Sequence, residues 1–261
     1  MGPCCRDYQI PVFPDVIAEA LRRQGFAFAP GASFRPLLEA VAPLDDLPAF
    51  ADSWNRLELD THLPDGHRYR RRRHATFSAL AGADAFRREA HQPHYQGLEY
   101  NRLVGGIERW FEPIEPVIAS GATFDAVVRL GLRLYGSLKG GTDWHIEAHQ
   151  FRIEARPGAE GQPTPEGVHR DGVDFVTVML VDRVNIASGT TTMHAPDGRN
   201  LGSFTLAISC DTALVDDTRV MHGVTPVSPV DPSRPAWRDV LVVTYRGTSR
   251  ASAPRPSAPS T

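Results

Sequence analysis

Two histidines and an aspartate offer the clearest chemistry in this chain. His169 and Asp171 stand two positions apart in Val168-His169-Arg170-Asp171-Gly172, and His222 follows far downstream. Residues at that spacing on a strand point to the same face, so one rigid element can present an imidazole and a carboxylate to one ion. With His222 as third donor, the set covers one face of an octahedron and leaves the opposite face for other ligands. Two neutral imidazoles and one carboxylate so arranged suit Fe(II), a co-substrate and dioxygen. His-x-Asp by itself is a weak signal. A rival set lies close by: His145, Glu147 and His149 alternate and would share one face of a strand. They are either a zinc or iron cluster or ordinary strand histidines beside a site. His194 is read as structural or pocket-lining.

Donors so far apart in sequence meet only if distant strands return side by side. After residue 143 strand-like runs come in quick succession: Trp144 to Ala155, Phe175 to Val181, Ile186, Thr190 to His194, Ser203 to Ser209, Ala213 to Val215, Val220 to Val227 and Asp239 to Tyr245. Gly, Pro, Asn and Asp separate them, the texture of a sandwich or jelly roll. The chain before them reads as helical. One helix starts at Phe13-Pro14-Asp15 and stops at Gly25, Phe26 to Ala29 is a short strand, and Leu37 to Val41 makes further helical turns. The clearest helix is Thr123 to Leu134, with Thr123 as cap and Phe124, Val127, Val128, Leu130 and Leu134 as a core-facing stripe. The expected class is α+β, with a helix-rich 14–142 packed on a β core, 143–246, as one domain, 1–246. The Ser, Ala, Pro and Arg of 247–261 predict a disordered tail.

Composition narrows the function. Hydrophobic residues are 41% and charged residues 23% of the 261, enough apolar content for a sizeable core without covalent staples. A net charge of −3 argues against a general nucleic-acid binder, so no nucleic-acid partner is expected. No apolar run approaches the ~18 residues of a membrane helix, and no apolar signal segment follows Met1, so no membrane partner is expected. With Cys4, Cys5 and Cys210 unable all to pair, the expected setting is reducing and cytoplasmic. A monomer and a homo-oligomer both stay open. The strip Arg68-Tyr69-Arg70-Arg71-Arg72-Arg73-His74 is a solvated strand paired with Glu58, Asp60 or Asp65, a phosphate-binding strip, or a clamp on a substrate carboxylate.

At Val168 to Val176, Asp217 to Val227 and Arg238 to Arg246 the chain resembles the 2-oxoglutarate- and Fe(II)-dependent dioxygenases. More narrowly it resembles the bacterial group that includes isoleucine 4-hydroxylase and related amino-acid hydroxylases. The likeness is best from Gln150 to Arg246 and extends weakly back through the arginine strip and Tyr95-Gln96. It implies a double-stranded β-helix (jelly-roll) core with iron on His169, Asp171 and His222. It also implies 2-oxoglutarate chelating that iron, its far carboxylate held by a basic residue on the strand after the distal histidine. Arg238 is the first candidate and Arg246 the second. They stand eight apart, so both share a strand face with Thr244. Gln150 and Arg152 share a face of their own strand, turned either to 2-oxoglutarate and substrate or to solvent. The implied activity is hydroxylation of an aliphatic C–H bond of a free or modified L-amino acid, a small-molecule substrate, with Fe(II), 2-oxoglutarate and dioxygen. The alternative is a cupin-like zinc-binding or hydrolytic protein without oxygenase activity.

Overall fold

The computed structural model describes residues 13–63, 69–101 and 103–248. Cys4, Cys5, Asp65, Arg68 and the tail beyond Thr248 lie outside the described residues. In chain order the elements are α1 (Phe13–Gln24), β1 (Phe26–Ala29), α2 (Gly31–Glu39), α3 (Leu47–Asp52), β2 (Glu58–Leu59), β3 (Arg70–Ala79), β4 (Arg87–Arg88), α4 (Pro116–Ala119) and α5 (Ala122–Leu138). There follow β5 (Asp143–Ala155), β6 (Phe175–Val184), β7 (Ile186–Ser188), β8 (Thr190–His194), β9 (Asn200–Thr205), β10 (Thr212–Asp216), β11 (Met221–Val224), β12 (Val227–Pro229) and β13 (Ala236–Thr248). Gly247 and Thr248, read from sequence as tail, are the last residues of β13.

Eight strands form one sheet in the order β1-β10-β6-β13-β5-β3-β2, with β4 beside β3, and all its pairings are antiparallel. A smaller sheet, β11-β8-β9, lies against it, and β12 pairs with β7. Met193 of β8 packs with Val176 and Val215 of the large sheet, and Leu206 after β9 packs with Leu180, Ala213 and Val240. Two antiparallel sheets facing each other across such contacts make a jelly-roll sandwich.

The two faces of the large sheet differ because side chains alternate along each strand. Trp144, Ile146 and Ala148 of β5, Leu241, Val243 and Tyr245 of β13, and Phe77 of β3 join α1, α2 and α5 in the main core. The intervening residues turn the other way and line a cavity: Arg70 and Arg72 of β3, His145, Glu147 and His149 of β5, and Arg238, Val240, Val242, Thr244 and Arg246 of β13. The β3–β5–β13 register sets these in rows, with Arg72 beside Phe151 and Val240, and His74 beside His149 and Val242.

Two expectations are corrected here. The first half is not helix-rich throughout: the helices before Asp143 are interrupted by β3, which pairs with β5 at every one of its ten positions. The alternation of that segment buries Arg70, Arg72 and His74 on one side, which only an extended chain can do. Thr123 does not cap α5, whose N-cap is Gly121. Instead Asp46, before α3, accepts from both the Thr123 backbone N–H (2.9 Å) and its hydroxyl (2.5 Å).

Helix α5 is seated on the sheet by two tyrosines. Tyr135 stacks on Phe175 at 4.5 Å and hydrogen-bonds to the Thr177 hydroxyl at 2.7 Å. The Tyr245 hydroxyl donates to the Val128 carbonyl of α5 at 3.1 Å. That approach requires glycine at 131, where an added Cβ would stand 2.2 Å from the Tyr245 hydroxyl. Gly136, in the same helix, has nothing within 4 Å of its would-be Cβ. Gly131→Ala is therefore expected to destabilise the protein by about 1–3 kcal/mol through overpacking. Gly136→Ala should stabilise it by about 0.5–1 kcal/mol. Urea-unfolding midpoints of the two variants check the opposite signs.

Candidate metal centre

His222 lies on β11, and His169 is drawn to it by backbone pairing. Each donates its N–H to the other's carbonyl at 2.9 Å. Directly opposed residues that exchange both bonds hold their side chains as neighbours, and the rings sit 4.7 Å apart. His169 and Asp171 do not share a regular strand, as their spacing suggested; His169 is an isolated bridge, and the chain then turns. That turn is held by Asp217, whose buried carboxylate accepts from the backbone N–H groups of Asp171 (3.0 Å), Gly172 (2.8 Å) and Val173 (3.2 Å). Gly172 has φ +80°, and a Cβ there would lie 2.5 Å from the Tyr100 ring, so no other residue fits the turn without strain.

The result is a compact donor set. One ligand atom each from His169, Asp171 and His222 lies within 4.8 Å of the others. The Nε2 atoms of both histidines face the Asp171 carboxylate, at 3.5 Å for His169 and 3.7 Å for His222. His169 Nδ1 is 3.0 Å from the Gly167 carbonyl, so donation there leaves Nε2 as the free lone pair, the arrangement of a metal-ligating imidazole. Burial works against charge on His169, but the hydrogen bond and charge of Asp171 outweigh it and raise the imidazole to about 9. Burial and then the charge of His169 bring His222 down to about 4. Burial opposes ionisation of Asp171, yet its two histidine partners hold it below the ordinary carboxylate range. The site is thus an anion that gathers positive charge, and a divalent cation would take the place of the His169 proton. Two imidazole nitrogens and one carboxylate oxygen fit a borderline transition metal such as Fe(II).

These groups open on a cavity of about 490 Å³ between the two sheets. Arg238 lines it, 2% exposed, with Nε and one terminal nitrogen lacking any partner. Burial and then the neighbouring Arg183 pull the guanidinium down to about 10, still a cation at neutral pH. A buried, unpaired guanidinium on a cavity wall calls for an anion, and a dicarboxylate reaching from the donor set fits that demand. Thr244 and Arg246 line the same wall, Arg246 exposed. Gln150 and Arg152 are turned away, neither to the cavity nor to bulk solvent. Gln150 is buried and donates to the Ser53 hydroxyl at 2.7 Å, and Arg152 pairs with Asp239 through two bonds of 2.8 and 2.6 Å. Their role toward a co-substrate is therefore corrected: β5 carries protein on both faces, and the helix side took these two. His194 ends β8 beside the Gly198 carbonyl and does not line the cavity.

The rival set is also assembled, in a form the sequence did not reveal. His74 of β3 and His94 join Glu147 and His149, with one ligand atom of each within 4.8 Å of the others. The Glu147 carboxylate receives His94 at 2.5 Å, His74 at 3.1 Å and His145 at 3.2 Å. An Arg72 N–H stands 2.7 Å from His149 Nδ1, placing a cation against this cluster. The arginine strip is largely spent on protein. Arg70 pairs with buried Asp60, Arg71 with Glu154, and Arg73 with the Pro113 and Arg56 carbonyls.

Similarity to known proteins extends along most of the chain. The sequence model of a family described as 2OG-Fe dioxygenase matches residues 51–244. The 3(1)-hydroxy-L-isoleucine 4-dioxygenase of Pantoea ananatis (strain AJ13355) is 27% identical over 254 residues, covering 90% of this chain and 97% of that relative. Among solved structures, a bsmA homolog from Methylobium petroleophilum PM1 is 39% identical with a TM-score of 0.80, over 92% of this chain and 95% of that one. IDO from Bacillus thuringiensis has the same fold at 19% identity, with a TM-score of 0.74 over 90% and 100% of the two chains.

Asp217 touches the donor set only through backbone. Asp217→Ala is expected to weaken Fe(II) binding by about 10–100-fold, the usual cost of losing an outer support. Asp217→Asn, whose carbonyl still accepts, should lose less; anaerobic metal titrations of the three proteins check the order.

Proposed function

The chain belongs to the 2OG-Fe dioxygenase family, and from that premise we propose that it hydroxylates an aliphatic C–H bond of an amino acid. On this reading His169, Asp171 and His222 hold Fe(II), and Arg238 grips the far carboxylate of 2-oxoglutarate. The observation that carries it is the sharing of one cavity by a two-histidine, one-carboxylate donor set and a buried guanidinium with no protein partner. When bound, the iron supplies the oxidising chemistry: 2-oxoglutarate, dioxygen and a C–H substrate become succinate, carbon dioxide and the alcohol, one oxygen atom entering each of succinate and alcohol.

The residues of this chain have narrower tasks. Gly167 and the His222 pairing fix the direction of the His169 lone pair. Arg238 orients the co-substrate along the cavity by a fork that lysine cannot match. Val176, Val178, Met193, Val215, Val240 and Val242 make the wall apolar and keep water from the reacting centre. Arg246, at the exposed end of β13, is the second choice for the anchor. The amino-acid substrate follows the Pantoea relative, named for action on a hydroxy-isoleucine. The zinc-binding or hydrolytic alternative leaves the buried Arg238 without a role. Among the described residues no helix is long and apolar enough to cross a membrane. A reducing, cytoplasmic setting would suit Fe(II). The helices share the core of the large sheet, which supports one domain over 1–246.

Purified protein given Fe(II), 2-oxoglutarate, oxygen and a panel of aliphatic L-amino acids should form succinate together with a product one oxygen heavier. Failure of every member, with no uncoupled succinate, would contradict the reading. His169→Ala and Asp171→Ala should each abolish tight Fe(II) binding. Arg238→Met should retain iron and weaken 2-oxoglutarate by about 10–100-fold, the loss of a charged hydrogen-bond pair; unchanged affinity would move the anchor to Arg246.

A further inference from the structure

The strand beside Arg238 carries a second arginine that the co-substrate reading leaves unused. Arg183 of β6 stands directly opposite Arg238 of β13. Residues paired in this way across an antiparallel sheet point to the same face, and like charges there repel. A bulge puts Arg183 on that face. From Phe175 to Leu180 the register with β13 is regular; Val176 and Val178 line the cavity, while Met179 joins the helix-side core. Between Leu180 and Asp182 the register slips, and Val181 is left without a partner on β13. The slip reverses the alternation, so Arg183 falls with Arg238, and Asp182 and Asp239 take the other face. The two carboxylates next to these arginines in sequence are thereby turned away. Asp239 pairs with Arg152, and Asp182 is exposed.

Arg183 is pinned where it stands. Its Nη2 donates to the Ile186 carbonyl at 3.1 Å and to the Ser188 carbonyl at 2.6 Å. The turn that presents those carbonyls holds Ser188 at φ +61°, a left-handed conformation that costs a serine energy. Asn185 latches the same turn to the segment leading into β13. Its side chain donates to the Asp231 and Arg234 carbonyls at 2.9 and 3.1 Å and accepts from the Asp231 N–H at 2.8 Å. A Cβ placed on Gly189 would stand 3.2 Å from Arg183 Nη1 and 3.8 Å from Arg238 Cδ, so the two side chains flank one point. Arg183 Nη1, Arg238 Nε and Arg238 Nη2 are buried there without a partner. Among the described residues neither arginine makes an ion pair. Arg238 lines the cavity and Arg183 stands behind it.

Two guanidiniums held side by side without an anion oppose folding. A bulge, a left-handed serine and an asparagine latch nevertheless keep them together, and an anion at Arg238 would relieve the repulsion between them. We propose that Arg183 is a positioning residue for the co-substrate anchor: from across the sheet it repels Arg238 toward the cavity and adds its own charge to the field at the far carboxylate. The anchor is then a two-cation device. It favours a keto acid with a second carboxylate over one without by more than Arg238 alone would. The inference rests on the hydroxylase reading and adds a residue to its co-substrate end.

The test is binding without turnover. Parent, Arg183→Met, Arg183→Gln and Arg183→Lys proteins are loaded anaerobically with Fe(II) and titrated by calorimetry. The ligands are 2-oxoglutarate and 2-oxobutanoate, the keto acid that lacks the far carboxylate. Arg183→Met and Arg183→Gln should each weaken 2-oxoglutarate by about 10-fold, the scale of one nearby charge in a partly buried site. Their affinities for Fe(II) and 2-oxobutanoate should stay those of the parent. Arg183→Lys, which keeps the charge, should stay within about 3-fold of the parent for 2-oxoglutarate. Arg183→Gln keeps an amide donor for the turn carbonyls, so it separates the charge from the hydrogen bonds. Unchanged 2-oxoglutarate affinity in both neutral variants would overturn the proposal. So would an equal loss for both keto acids, or a loss in Arg183→Lys as large as in Arg183→Met, since either marks a role in the turn alone. Failure of both neutral variants to fold would overturn it as well, because removing one of two repelling cations should not unfold the protein. A parent that does not prefer 2-oxoglutarate to 2-oxobutanoate fails the hydroxylase reading itself, and this inference falls with it.

Discussion

Two backbone hydrogen bonds between His169 and His222 are the constraint on which the site depends. They join the segment before β6 to β11, elements that belong to different strand pairings, and they fix two imidazoles 4.7 Å apart. Asp171 reaches the same point only because Asp217 gathers three successive N–H groups and bends the chain at Gly172. Side-chain donors placed by backbone bonds are stiffer than donors placed by their own rotamers, and a metal centre needs that stiffness before the ion arrives. Gln96, Asn101 and Tyr100 close the turn from the other side, so the long irregular stretch before α4 is part of the support.

The large sheet separates two tasks by the alternation of its strands. One face is apolar and carries α1, α2 and α5; the other holds arginines, histidines and a glutamate around a cavity. Burying so much charge is costly unless it is paired. Asp60 satisfies Arg70, and Asp239 satisfies Arg152 on the outer face. Arg238, Arg72 and Arg109 are left with unpartnered nitrogens inside. All three line the same cavity as the donor set.

Much of this is legible in the sequence, and the failures have physical causes. β5, β6, β8, β10 and β13 announce themselves as strand-like runs punctuated by Gly, Pro, Asn and Asp, along which side chains must alternate between faces. Arg238, Thr244 and Arg246 fall on one face for the same reason. Gln150 and Arg152 misled: β5 is covered on both sides, and a polar alternation cannot tell cavity from interior. A strand at β3 with an arginine paired to Asp60 was among the readings of the sequence, but its burial against β5 was not, because that pairing is non-local. His74 and His94 meet Glu147 only through that register, and Asp217 and Arg109 act from positions with no local motif. Asp46 displaces Thr123 as the partner at the start of α5 across a distance in sequence that no capping pattern spans.

Two clusters in one cavity have metal-ligand chemistry, and their discrimination is the central question. Anomalous diffraction at the iron edge, from crystals grown anaerobically with Fe(II) and 2-oxoglutarate, answers it directly. The predicted result is a single iron peak among His169, Asp171 and His222, with the far carboxylate of 2-oxoglutarate on Arg238. A peak among His74, His94, Glu147 and His149, or 2-oxoglutarate seated away from Arg238, would contradict it.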